Sequence, residues 1–103
     1  MNKLLLLITT VSSQLMAEQI AKELIKSKLA ACISIKEIKS IYKWQGNIEE
    51  NKEFEITIKS LPENLNELTL ILKEKITYEV PELIYQIFDS EKSYFQWLKA
   101  SIN

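Results

Sequence analysis

Apolar and polar positions alternate along the chain with two different periods, and these periods predict a series of strands and helices. Residues 4–10 form a short apolar run, which is typical of a strand covered on both faces. From about Gln14, apolar side chains recur every three or four positions with charged side chains opposite them, which predicts an amphipathic helix. Its apolar positions are Met16, Ala17, Ile20, Ala21 and Leu24.

The middle of the chain predicts a long β-hairpin. Residues 30–44 are typical of a strand, but their apolar side chains change parity between Ile35 and Tyr42, so we expect a bulge or bend near residues 36–39. Gly46 is the only glycine, and with Asn47 beside it we expect a tight turn there. Residues 53–59 alternate cleanly between polar and apolar side chains, as a returning strand does.

The remaining segments predict a helix, a strand and a second helix. Ser60 and Glu63 have the spacing of a capping box, with a proline between them, so we expect a helix to begin there and end near Lys75. Residues 80–88 are typical of a strand, and a last helix is expected from Ser90. The order β-α-β-β-α-β-α predicts an α+β, ferredoxin-like βαββαβ sandwich with a C-terminal helix, in which the helices of the sandwich cover one face of a four-stranded antiparallel sheet.

Composition narrows the functional classes. The length of 103 residues suits a single domain spanning residues 1–103. The net charge is −1, and all 13 basic residues are lysines, so neither a basic nucleic-acid-binding surface nor an arginine or histidine site is available. No apolar run approaches the roughly 20 residues of a membrane span, and residues 4–8 are too short for a secretory signal. A single cysteine, Cys32, favours a cytoplasmic location.

The predicted hairpin is too long for one copy of the chain to cover. Residues 30–44 would extend about 50 Å at roughly 3.3 Å per residue, whereas a domain of this size is roughly 35 Å across. The far end carries Ile41, Tyr42, Trp44 and Ile48, which a monomer would expose as an apolar patch. We therefore expect a homo-oligomer in which the hairpin and the last strand pair with neighbouring copies. The alternative is a hairpin that bends back over its own sheet.

The segment "YEVPE" at residues 78–82 is the main candidate for a binding site. A strand beginning at Val80 would place Glu79 and Glu82 on opposite faces, which argues against an acid–base pair within one chain. Three interpretations stay open: structural ion pairs, for which Lys59 of a neighbouring copy is the preferred partner; a polar ligand cleft between subunits; and a metal site of hard oxygen ligands. The cleft would be lined by Lys59, Tyr78, Glu79 and Glu82.

Cys32 and the aromatic residues of the hairpin are weaker candidates. One thiolate cannot hold Cu(I) or Zn(II) alone, so Cys32 could be a metal ligand only where several copies meet, and otherwise it is a small buried side chain. Tyr42 and Trp44 flank Lys43 in a way that suits base stacking, but no basic surface accompanies them. Packing at an oligomer interface is the favoured interpretation.

Several segments together resemble the CutA, or divalent-cation tolerance, family. They are "LAACISI" at 29–35, "SIYKWQGNIEENKE" at 40–53, "YEVPE" at 78–82 and "YFQWL" at 94–98. The resemblance implies a ferredoxin-like subunit, a homotrimer, a cytoplasmic location in bacteria and a role in tolerance to divalent metals, copper above all. The chain departs from the family where a histidine and a proline usually precede "YEVPE", because Ile76 and Thr77 stand there. It also has Thr9 where some members have a cysteine, which leaves Cys32 as its soft ligand.

Other functions known on ferredoxin-like folds are not supported. A copper chaperone needs a pair of cysteines, an acylphosphatase-like enzyme needs an arginine, and a PII-type signalling trimer needs a long loop where this chain has only Gly46 and its neighbours. We therefore expect a trimeric, non-catalytic scaffold that binds a small polar ligand or a divalent metal such as copper. The alternatives are a module that stabilises another protein and a PII-like sensor of a small ligand.

Overall fold

The computed structural model describes residues 2–103. Four strands form one antiparallel sheet in the order β2-β3-β1-β4, and three α-helices and a short 3-10 helix connect or flank them. The elements are β1 (Lys3–Val11), α1 (Gln14–Lys26), β2 (Cys32–Trp44), β3 (Asn47–Ser60), the 3-10 helix (Pro62–Asn64), α2 (Leu65–Lys75), β4 (Ile84–Asp89) and α3 (Lys92–Ile102). This topology confirms the predicted α+β, ferredoxin-like class.

The main core lies between one face of the sheet and helices α1 and α2. Alternate residues of β1 and β3 point to this face, and the most deeply buried of them pack against apolar side chains of both helices. Ser13 caps α1, because its hydroxyl accepts a hydrogen bond of 3.1 Å from the backbone N–H of Met16. The fully buried members of this core are Leu5, Leu7, Ala17, Leu24, Ile56, Ile58, Leu68 and Leu72.

Helix α3 packs on the other face of the sheet. Its Leu98 and Ile102 form a separate apolar cluster with Leu4 and Leu61. The helix begins at Lys92, two residues later than predicted, because the Glu91 carboxylate caps it by accepting hydrogen bonds from the backbone N–H groups of the next turn. The hydrogen bonds from Ser93 are the main cause that lowers the pKa of Glu91.

The β2–β3 hairpin is straight and unbroken. Pairing continues without a gap from Cys32 opposite Lys59 to Trp44 opposite Asn47, so the predicted bulge at residues 36–39 is wrong. The chain reverses through Gln45 and Gly46, which both have positive φ, as the central residues of a type I′ turn do. The change of parity has another cause: β1 ends opposite Phe54, and within residues 2–103 the side chains of the hairpin that pack in the core with α1 and α2 extend no further than Ile35 and Phe54.

Residues 38–53 thus form an arm that projects past the rest of the sheet. The chain measures 46 × 24 × 22 Å, so its longest dimension is about twice the others. The arm does not bend back, and the predicted apolar residues at its end are exposed: Ile41 by 64%, Tyr42 by 41%, Trp44 by 40% and Ile48 by 77%. Strand β4 is the edge strand that was predicted, and its apolar side chains are exposed on both faces.

Two predicted boundaries are wrong for tertiary reasons. Ser60 is not a helix cap but the last residue of β3, where its buried hydroxyl donates a 2.6 Å hydrogen bond to the carbonyl of Leu29 and accepts one of 3.1 Å from Asn64. Strand β4 begins at Ile84 rather than Val80. Its pairing with β1 stops at Ile8 although β1 continues to Val11, and Pro81 has no N–H to donate to a longer ladder. Residues 77–83 therefore leave the sheet as an irregular segment beside the arm.

Thr9 provides a test of the core. Its side chain is fully buried, and its hydroxyl has no hydrogen-bond partner within residues 2–103. We expect Thr9→Val to raise the free energy of unfolding by roughly 1 kcal/mol, because it removes an unsatisfied buried hydroxyl at nearly constant shape. Ser60→Ala is the matched control and should lower the free energy of unfolding by about 1–3 kcal/mol, because it leaves the buried Leu29 carbonyl unpaired. Urea denaturation at one protein concentration measures both, and a destabilised Thr9→Val variant would contradict the assignment.

Candidate functional site

The arm and the segment 77–83 enclose an open cavity of about 760 Å³, which we call the arm cavity. The arm supplies one wall, the segment supplies the other, and Thr10 near the end of β1 also lines it. Aromatic rings and carboxylates dominate the lining, which includes Tyr42, Trp44, Tyr78, Glu53, Glu79 and Glu82. The cavity thus combines apolar surface with negative charge.

Glu53 is the most deeply buried carboxylate of this cavity, with 9% of its surface exposed. It precedes Phe54 in β3, and the alternation of the strand sends Phe54 into the main core and Glu53 to the opposite face. Tyr78, on segment 77–83, lines the same cavity. Burial, followed by hydrogen bonding with Glu53 and the negative charge of Glu53, raises the pKa of Tyr78 well above its usual 10.0, so Tyr78 is a neutral phenol at physiological pH.

Glu82 is also affected by the negative charge of nearby carboxylates. Burial is the largest cause that raises its pKa above the usual 4.5, and the charges of Glu55 and Glu53 add to it. The Nζ atom of Lys36 lies 3.6 Å from the Glu55 carboxylate, so this carboxylate has a cation beside it. Glu53 and Glu82 form no such pair among the ion pairs of residues 2–103.

The structure brings together only part of the predicted cleft. Tyr78, Glu79 and Glu82 line the arm cavity, and because β4 starts after them, the two glutamates do not lie on opposite faces of a strand. Within one chain Lys59 lies near the other end of β3, where its Nζ atom is 5.8 Å from the ring centre of Tyr94. A contact between Lys59 and the glutamates of a neighbouring copy stays a prediction.

The residues predicted for the oligomer interface and the cysteine predicted as a metal ligand lie in different parts of the structure. Ile41, Tyr42 and Trp44 line the arm cavity, whereas Ile48 lies beyond it near the turn. Cys32 is the half-buried first residue of β2. In the part of the chain that the structure describes, no three histidine, cysteine, aspartate or glutamate side chains are grouped closely enough to hold a metal ion.

Sequence reasoning missed Glu53, which it treated as one of the polar, outward positions of β3. The available signal was its place in the hairpin: counting pairs back from the Gly46 turn puts Glu53 opposite Ile38, an apolar residue on the same face. This pairing alone does not predict burial, since Glu50 lies opposite the apolar Ile41 and both are exposed.

Comparisons with known proteins agree with this geometry. The family model described as CutA1 divalent ion tolerance protein matches residues 5–101. The chain belongs to the CutA1 family. The Divalent-cation tolerance protein CutA of Pyrococcus horikoshii is 36% identical over 83 residues, which cover 80% of this chain and 81% of that protein. The resemblance inferred from the sequence motifs is therefore confirmed.

Solved structures of the CutA1 family have the same fold. The structure of CutA from Synechococcus elongatus superposes with a TM-score of 0.94 at 36% identity, covering 100% of this chain and 93% of that one. The structure of a CutA from Archaeoglobus fulgidus, described as periplasmic, has a TM-score of 0.92 at 32% identity and covers 97% and 99% of the two chains. Between residues 2 and 103, this CutA1-family chain has no helix both long and apolar enough to cross a membrane.

The raised pKa of Glu82 predicts the pH dependence of stability. A carboxyl with a higher pKa in the folded than in the unfolded state opposes folding increasingly as the pH rises above the usual 4.5. We therefore expect Glu82→Gln to raise the free energy of unfolding relative to the native protein at neutral pH, with the difference vanishing at about pH 3.5, where the carboxyl is neutral in both states.

Glu91→Gln is the control with the opposite sign. The hydrogen bonds from Ser93 lower the pKa of Glu91, so its charge stabilises the folded state above the usual 4.5. This variant should be less stable than the native protein at neutral pH, and the loss should disappear in acid. Urea denaturation between about pH 3.5 and pH 7 distinguishes the two slopes. A Glu82→Gln variant that is less stable at neutral pH would mean that a cation stabilises the charged carboxylate.

Proposed function

We propose that this CutA1-family chain acts in tolerance to divalent metal ions as a cytoplasmic homotrimer that binds a ligand or ion and catalyses no reaction. The observation that carries the proposal is the exposed apolar arm together with the unpaired β4 edge, since neither is stable against association as a free surface. The family description, divalent ion tolerance, supplies the biological context.

The two free edges of the sheet support a closed ring. Strand β2 is one outer strand and β4 is the other, so the arm of one copy can pair with the β4 edge of the next. Such a contact joins two different surfaces, and contacts of that kind close into rings when the rotation between copies allows it. Three copies per ring is the number that the CutA resemblance implies.

Direct metal binding, with copper as the preferred ion, would require ligands from more than one copy. The described residues of one chain provide no metal-binding group, and the chain has no histidine. Cys32 would be the soft ligand and the glutamates of segment 77–83 the hard ones, contributed by copies that meet in the trimer. The donor set of a single chain therefore does not fit a copper site.

Binding without catalysis is supported by the chemistry of the arm cavity. Carboxylates and phenols line this cavity. The chain has no histidine, so no imidazole is available to act as a general base or to activate a nucleophile there. The proposed cytoplasmic location rests on Cys32, a lone thiol that has no partner for an internal disulfide.

The assembly is tested by placing a charge on the arm. We expect the native protein to sediment at three times its chain mass of 12.0 kDa, and Ile48→Lys to shift it toward monomer because a lysine would be buried in the contact. Leu70→Lys on α2 is the matched control, since Leu70 is also an exposed apolar residue but lies outside the arm. Sedimentation equilibrium gives the masses, and circular dichroism checks that both variants fold.

A native protein that sediments as a 12.0 kDa monomer would refute the assembly. An Ile48→Lys variant that stays trimeric would show that the arm is not part of the contact, whatever the number of copies.

The proposed metal role predicts that copper uptake depends on assembly. In isothermal titration we expect Cu(II) to bind the native trimer and to bind the dissociated Ile48→Lys variant at least tenfold more weakly, because each copy supplies only part of the ligand set. Cys32→Ser in the intact trimer should weaken the binding if sulfur is a ligand. Equal uptake by trimer and monomer would contradict ligands shared between copies, and no uptake by the native trimer would remove the direct metal role.

A further inference from the structure

We propose that the arm cavity binds a small organic cation, with its ammonium group against the Glu53 carboxylate and its apolar part against the ring of Trp44. This inference deepens the proposed binding role of the protein and rests on it. It concerns the chemical class of the ligand, which neither the family description nor the similar proteins specify.

The charge of the cavity calls for a cation. Glu53 is buried and lines the cavity together with Glu79 and Glu82, and no lysine is among the lining residues. The lysines that form ion pairs within residues 2–103 all contact other carboxylates. Tyr78 is a neutral phenol and brings no positive charge to Glu53. A buried carboxylate without a positive partner is costly, and a bound cation would remove that cost.

The contrast with the neighbouring cavity shows that this charge pattern is local. Tyr78, Glu79 and Val80 also line a second cavity of about 650 Å³ on the other side of segment 77–83. That second cavity includes Lys73 among its lining residues, so a cation lies on the same lining as Glu79. The arm cavity has the carboxylates without the lysine.

The lining favours an organic cation over a metal ion. A divalent metal requires several convergent oxygen, nitrogen or sulfur ligands, and the described part of the chain contains no such group. Tyr42, Trp44 and Tyr78 instead offer aromatic faces, which attract ammonium groups through cation–π contacts. The volume of about 760 Å³ is within the range of small-molecule sites. It is far larger than a single ion or the tip of one lysine side chain needs.

Benzylammonium is a suitable probe because it joins a primary ammonium group to one aromatic ring. Trp97 on α3 is replaced by phenylalanine, so that Trp44 is the only indole and its fluorescence reports on the cavity. We expect a saturable fluorescence change with benzylammonium and at least tenfold weaker binding of benzyl alcohol, which has a similar shape without the charge. Isothermal titration of the native protein measures the same difference without fluorescence.

The role of Glu53 is tested with Glu53→Gln, which removes the charge at nearly constant shape. Benzylammonium should bind this variant at least tenfold more weakly. Glu50→Gln is the matched control, because Glu50 also lies in β3, is already beside Lys39 and does not line the arm cavity. It should bind within about twofold of the native protein.

Three results would overturn the inference: equal binding of benzylammonium and benzyl alcohol, unchanged binding in Glu53→Gln, or no saturable binding. Dissociation of the Glu53→Gln trimer without any binding of benzylammonium to the native protein would also overturn it, since a lysine of a neighbouring copy would then occupy the cavity.

A trimer that takes up copper but not benzylammonium refutes this inference alone. A monomer that binds benzylammonium refutes the proposed assembly alone.

Discussion

The structure depends on the uninterrupted pairing of β2 with β3 beyond the end of β1. Each backbone pair from Ile38 opposite Glu53 to Trp44 opposite Asn47 lies outside the part of the sheet that α1 and α2 cover. The ladder pairs only the backbone groups that the two strands of the arm turn toward each other, and the side chains of the arm have no core of their own to enter. Exposed apolar surface and the wall of the arm cavity therefore arise from the same extension.

The period of a β-strand explains how this extension creates a charged cavity beside an apolar core. Phe54 and Glu53 are consecutive, so they must face opposite sides of the sheet, and the end of β1 at Val11 falls beside them. Segment 77–83 then covers Glu53 from the side that the helices leave open. Desolvation is the largest cause of the raised pKa of both Tyr78 and Glu82, although much of the Glu82 side chain stays exposed.

The local sequence pattern was sufficient to predict an element whose burial follows from its own periodicity. The spacing of Ile20 and Leu24 predicted α1, and the alternation of residues 53–59 predicted β3. The errors lie where other parts of the chain decide the environment: β4 pairs with β1 only from Ile84 onward, after Pro81, and the hydroxyl of Ser60 bonds to Leu29 rather than to a helix start. The burial of Glu53 depends on a segment that follows it by more than twenty residues, and no local period contains that information.

The two positions at which this chain departs from the family motif, Ile76 and Thr77, have different environments: the first lies in the main core and the second lines the arm cavity. Ile76, where the CutA resemblance leads one to expect a histidine, is 5% exposed and packs in the main core with Leu72. Thr77, the next residue, lines the arm cavity. An isoleucine at position 76 therefore contributes apolar packing and no metal ligand, so the chemistry of the cavity is left to carboxylates and aromatic rings. These groups suit a cation with an apolar body better than a soft metal ion.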